Sequence, residues 1–239
     1  MTLRLSLLVL LAAAASASAA AQIATDRPGL AFTPSVVEPR VFQVEAGLPQ
    51  AVLGGADFYN VPVALRVGVV PGVEVRAAAS VLDGVDAGDG LDVQSGFSTI
   101  TAGVKLGVPT DAVALAVIPE VVIPTEGEGD VAFQLNAPAS FAAGDFGVTL
   151  VPGVVTGNGV TVLNAVALVS RSFGSALSGY AEIGAFPFLD GDGDTPVLAG
   201  AGLAVLLNED TQLDAFFDAG LNDAAPDLIL GVGASFRID

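Results

Sequence analysis

Cysteine and histidine are both absent from the 239 residues. The first absence excludes a disulfide framework and thiol chemistry, and the second excludes imidazole-based catalytic dyads and His-ligated metal centres. Positive charge is scarce, with 8 Lys and Arg against 26 Asp and Glu, and Lys105 is the single lysine. That balance argues against any nucleic-acid partner, whose phosphates need cations. Long apolar runs are also missing. Although 52% of the residues are hydrophobic, none of the runs approaches the roughly 20 residues a spanning helix requires. If this chain crosses a membrane, it does so as strands.

Residues 1–21 read as a removable export signal. Arg4 precedes an apolar stretch from Leu5 to Ala15, and Ala19-Ala20-Ala21 supplies small residues for a peptidase, with cleavage expected after Ala21. The stretch is too short to cross about 30 Å of hydrocarbon, and no basic stop-transfer cluster follows it. Removing Arg4 with the signal leaves 26 acidic against 7 basic residues, about 19 net negative charges. Dense carboxylates of this kind are tolerable where salt screens them, which points to a salt-rich habitat.

What the sequence does contain is alternation. Phe133, Leu135, Ala137, Ala139 and Phe141 share one strand face, while Gln134, Asn136 and Ser140 share the other, because strand side chains have a period of two. Twelve such stretches are expected: 41–50, 61–70, 73–82, 97–107, 112–123, 131–141, 146–155, 160–170, 176–188, 197–207, 212–220 and 228–236. Repeated segments of about ten residues, apolar on one side, are the signature of a transmembrane barrel. The expected fold is all-β, an antiparallel up-and-down transmembrane β-barrel of about 12 strands over residues 41–239, preceded by an extended segment at 22–40.

Connection lengths alternate as well. Short links at 71–72, 109–111, 143–145, 172–175 and 208–211 fit periplasmic turns; longer ones fit extracellular loops, with 156–159 breaking the trend. The longer set gathers carboxylates: Asp57, Asp83, Asp86, Asp89, Asp92, Glu126, Glu128, Asp130, Asp190, Asp192, Asp194, Asp223 and Asp227. Asp190-Gly191-Asp192-Gly193-Asp194-Thr195 resembles the start of a calcium loop. Its twelfth position is Ala201 rather than Glu, so a solvated acidic turn is the simpler reading and no metal centre is expected. Val70-Pro71-Gly72 fits a three-residue hairpin with a bulge, pairing Val69 with Val73, Gly68 with Glu74 and Arg66 with Arg76.

Charge on a lipid-facing position costs roughly 2 to 4 kcal/mol near the midplane for Arg or Lys, so strand charges should face the lumen. Periodicity places Glu45, Arg66, Glu74, Arg76, Lys105, Glu120, Glu182, Asp214, Asp218 and Arg237 there. Opposed carboxylates and guanidinium groups can form an ionic constriction that selects solutes, or can simply rigidify a narrow barrel; both readings stand at this level. Whether 25–40 folds into the lumen as a plug or lies in the periplasm is equally open, although Pro28, Pro34 and Pro39 favour an extended course.

Short pieces in order along the chain carry a resemblance. They include Thr25-Asp26-Arg27-Pro28, Gln43-Val44-Glu45-Ala46-Gly47, Leu65-Arg66-Val67-Gly68, Val73-Glu74-Val75-Arg76, Gly103-Val104-Lys105, Gln212-Leu213-Asp214 and Gly231-Val232-Gly233-Ala234-Ser235-Phe236-Arg237. Together they resemble an outer-membrane family associated with the meta pathway of phenol degradation, often labelled transporter. The resemblance implies a barrel in the bacterial outer membrane. One departure is the C-terminus: barrels usually finish on an aromatic residue read by the assembly machinery, whereas Arg237-Ile238-Asp239 follow Phe236 here.

The expected function is therefore passive movement of small molecules, aromatic or hydrophobic ones included, across the outer membrane. The competing expectation is a non-conducting structural or surface-interaction barrel with acidic loops. Expected partners are outer-membrane lipid, the barrel-assembly machinery and small hydrophobic or aromatic solutes. Glu182, Asp214 and Asp218 are the acid-base candidates, but no nucleophile with a base accompanies them, so neither enzymatic activity nor a cofactor is expected.

Overall fold

The computed structural model describes residues 23, 25–86, 88, 91–95, 99–110, 112–125, 129–191 and 193–239. The expected export signal and cleavage point lie outside these residues, as do Asp89, Glu126, Glu128 and Asp192. Among the described residues fifteen strands build the wall: β1 (Phe42–Gly47), β2 (Gln50–Leu53), β3 (Asp57–Val70), β4 (Val73–Asp86), β5 (Leu91–Ser95), β6 (Thr99–Val108), β7 (Ala114–Pro124), β8 (Ala132–Asn136), β9 (Ala139–Ala143), β10 (Phe146–Gly157), β11 (Val160–Ser172), β12 (Leu177–Ala185), β13 (Val197–Asn208), β14 (Thr211–Gly220) and β15 (Leu228–Ile238).

Three pairs of these are single wall strands interrupted once, so the barrel has twelve crossings. β1 and β2 both pair with β3 and β15. β5 and β6 both pair with β4, and β8 and β9 both pair with β7 and β10. Proline explains two of the breaks, Pro49 and Pro138, because its missing N–H leaves a gap in the ladder. Neighbouring amides bridge the second: Ala137 N donates to Pro152 O, and Ala116 N donates to Pro138 O.

Every pairing between these strands is antiparallel, and the sheet closes where Phe42 to Gly47 meet Ile238 to Gly233. Closure leaves no row of unpaired backbone groups, which hydrocarbon would penalise by several kcal/mol each. The distribution of side chains is inside out. Leu65, Phe133, Leu150, Leu203, Phe217 and Val232 are exposed on the outer face, whereas Gln43, Glu45, Arg66, Glu74, Lys105, Asn136 and Asp218 are buried within. Such a surface suits acyl chains and would be a large apolar patch in water.

The turn at Pro71-Gly72 corrects one detail of register. Val70, not Val69, pairs with Val73, and the irregularity falls between Gly68 and Val70. Pro71 followed by Gly72 at φ 79° is the residue choice of a two-residue type II turn. The surplus residue therefore sits in the strand as a bulge rather than in the turn. Beyond it Gly68 faces Glu74 and Arg66 faces Arg76, so the inward set is unchanged. At the other end, strands run further than periodicity indicates: Asp57, Asp83, Asp86 and Asp92 extend the ladder instead of lying in loops. Asn158 and Gly159, with φ 53° and 74°, make a tight hairpin of the twisted kind favoured in antiparallel ribbons.

Candidate functional site in the barrel lumen

Residues 25–41 occupy the lumen, which decides between the two courses left open for this segment. Thr25 is buried where Gln212 Nε2 donates to its hydroxyl at 3.2 Å. The chain runs inward to Leu30, whose N–H donates to both Glu182 oxygens at 2.9 and 3.1 Å. It returns past Val37, whose N–H reaches Glu74 Oε2 at 3.0 Å, to a bridge between Pro39 and Gly68 at the rim bearing the short turns. Gly68 is required there, because a Cβ would overlap the Glu38 carbonyl.

Beneath this plug the inward charges of β1, β3, β4, β6 and β7 form one network. Arg66 holds Glu74 with two nitrogens, at 2.6 and 2.8 Å, and Glu45 with a third at 2.6 Å. Arg76 Nε lies 2.9 Å from Glu120, which Gln134 also reaches at 3.3 Å. Arg66 and Arg76 stand directly opposite each other, an arrangement that like charges disfavour unless an anion lies between them. Asp26 of the plug supplies it. Its carboxylate is 2.5 Å from Arg76, 3.6 Å from Arg66 and 2.8 Å from Lys105 Nζ, and Thr33 N–H adds a bond at 2.9 Å. Burial alone would raise the Asp26 pKa, but Lys105, Arg66 and Arg76 outweigh it and hold the carboxyl well below the usual carboxylate range.

The next residue reaches the opposite wall. Arg27 pairs with Asp214 at 3.2 Å and lies 6.0 Å over the Phe216 ring. Adjacent plug residues of opposite sign thus match a cationic wall at Asp26 and an acidic wall at Arg27. Above them Leu30, Ala31 and Phe32 pack on Val151, Val166, Leu168 and Phe186, an apolar patch inside the lumen. Two cavities flank the plug. One of about 240 Å³ lies against Thr149, Leu168, Tyr180 and Gln212; the other, about 250 Å³, lies against Glu45, Asn60, Ala78 and Thr101. Arg27 lines both and stands between them. A recess of about 750 Å³, lined by Phe146, Val169, Phe173, Leu203 and Phe217, is a different kind of feature. It opens mainly on the outer face, where alkyl chains would fill it.

Of the residues singled out from periodicity, Glu45, Arg66, Glu74, Arg76, Lys105 and Glu120 are brought together. Asp214 stands apart with Arg27, while Glu182 and Asp218 form a further group on β12 and β14. Arg237 is not in the network: it is at the rim, 3.3 Å from both Glu38 and Asp210. Asp190 and Asp194 are exposed at the other end, as a solvated turn requires. Sequence reasoning passed over Asp26 and Arg27 as lumen groups. Their signal was an adjacent acid and base in an otherwise charge-poor stretch, next to Pro28.

The model of the family described as "Putative MetA-pathway of phenol degradation" matches residues 25–238. The chain belongs to this family. The match begins at Thr25, so the plug is part of it. No individually curated protein matches the sequence. Among solved structures, an outer membrane channel from Pseudomonas putida F1 superposes with a TM-score of 0.65 at 13% identity, over 89% of this chain and 100% of that one. The NanC porin gives 0.60 at 10% identity over 82% and 100%, and the KdgM porin 0.55 at 8% over 83% and 99%. These likenesses establish a porin-like outer-membrane barrel fold.

Proposed function

We propose that this protein is a passive channel of the bacterial outer membrane, closed at rest by its own N-terminal segment. The observation that carries the reading is Arg27, a single plug side chain bonded to Asp214 and standing between two lumen cavities. Small solutes would pass down their gradient when residues 25–41 shift, selected by lumen width and by the fixed charges of Arg66, Arg76, Lys105 and their carboxylates. The apolar patch at Val151, Val166 and Leu168, together with the family's association with phenol degradation, supports small aromatic or hydrophobic cargo. Outer-membrane lipid and the barrel-assembly machinery are the partners this reading implies. No catalytic role is assigned to the lumen carboxylates.

Planar-bilayer recording tests it directly. The full mature chain should give rare or small conductance steps, and a variant lacking residues 23–40 should give frequent, larger ones. Silence from the shortened, correctly folded barrel would favour the second reading, a non-conducting structural barrel, for which the number of plug-to-wall contacts speaks.

A further inference from the structure

One carboxylate in the lumen, that of Asp218, receives no donor from the plug. Glu182 on β12, Gly200 on β13 and Asp218 on β14 lie in a row across the wall. Gly200 contributes no side chain, and a Cβ there would collide with Asp218 Oδ1, so the carboxylate leans over it. Asp218 is 0% exposed, and its oxygens have no donor other than the facing carboxyl of Glu182. The group it faces is another carboxyl, that of Glu182. Tyr180 Oη is buried beside them against the Glu182 carboxyl; both it and Glu182 Oε1 crowd the place where Gly29 of the plug lacks a side chain. The nearest cation, Arg27, is spent on Asp214.

We infer that Glu182, Asp218 and Tyr180, roofed by Gly29 and Leu30, form a binding site for one divalent cation of calcium's kind. Two carboxylates carry the charge that such an ion neutralises, and all three side chains offer hard oxygen donors, the ligand type calcium takes in flexible geometry. Among the described residues no three carboxylates converge on a point, so the Tyr180 oxygen is the third protein donor. Because wall and plug both line the site, binding favours the seated plug by mass action; that consequence alone rests on the channel reading.

The chain has no Trp and two Tyr residues, Tyr59 and Tyr180, which makes terbium a specific probe. In a Tyr59→Phe background refolded into detergent with terbium, excitation of Tyr180 should sensitise terbium emission, and millimolar calcium should suppress it. Adding Asp218→Asn should lower the emission at least tenfold while the variant keeps the faster electrophoretic mobility of an unheated folded barrel. Glu182→Gln, checked for folding in the same way, should do likewise. Equal emission with and without Asp218, or none from the Tyr59→Phe protein, would overturn the site. An infrared band of a protonated carboxyl that persists in calcium and vanishes in Asp218→Asn would replace the ion with a shared proton. None of these readouts depends on conductance, so a failed channel and a failed site are distinguishable.

Discussion

Asp26 is the anion that lets Arg66 and Arg76 face each other across β3 and β4. Replacing it by Asn keeps the shape and removes the charge, leaving Lys105 buried without the carboxylate 2.8 Å from its Nζ. Breaking a buried pair by removing one partner typically costs about 3 to 5 kcal/mol. Part of that loss is recoverable here by water entering the lumen, so the expected effect is release of the plug rather than unfolding. Asp26→Asn should raise open probability in bilayer recordings several-fold, and an unchanged record would remove Asp26 as the anchor. The sign of the pH effect follows from its lowered pKa. Asp26 anchors the plug fully above the ordinary carboxylate range and loses hold only as pH falls through its lowered folded-state value, so its contribution should be flat between pH 7 and pH 5. Arg27→Ala would join the two flanking cavities, and larger unitary current is its expected signature.

The plug is an element without secondary structure of its own, held by side chains that belong to the wall. Its backbone donors at Asp26, Leu30, Thr33 and Val37 reach wall or plug carboxylates, and its return leg fits against Gly68. Gly68→Ala places a methyl group against the Glu38 carbonyl and should lift the segment from the rim. Its channel behaviour should then approach that of the chain lacking 23–40, while β3 and β4 keep their register. Wild-type closure in Gly68→Ala would show that the rim contact is dispensable. Within the wall, Pro49 and Pro138 interrupt strands that periodicity reads as continuous. Alternation reports which way side chains point and says nothing about where the ladder of N–H donors has a gap. The surplus residue near Val69 was legible, but its place was not, since a bulge in the turn and a bulge in the strand leave the same inward set.

At the scale of the whole barrel, stability comes from closure and from an outer coat matched to lipid. Leu203, mid-strand on β13 and 53% exposed, tests the coat: Leu203→Arg should lower the free energy of folding into vesicles by about 2 to 4 kcal/mol. Urea titration of refolding gives the number, and no loss would mean that this face does not meet hydrocarbon. The sequence by itself determined the twelve crossings, the inward side of each and the lumen position of Glu45, Arg66, Glu74, Arg76, Lys105, Glu120, Glu182, Asp214 and Asp218, because strand parity is a local property with a period of two residues. Which of those charges meet was beyond its reach. Glu45 and Asp214 become near neighbours in the lumen only through closure of β1 on β15, and Arg66, Arg76 and Lys105 share one anion only through the path of residues 25–41, which carries Asp26 to them. A short, proline-rich segment has no periodicity to betray its course, so its place inside the barrel was decided by tertiary structure alone, through the match of Asp26 and Arg27 to walls of opposite charge.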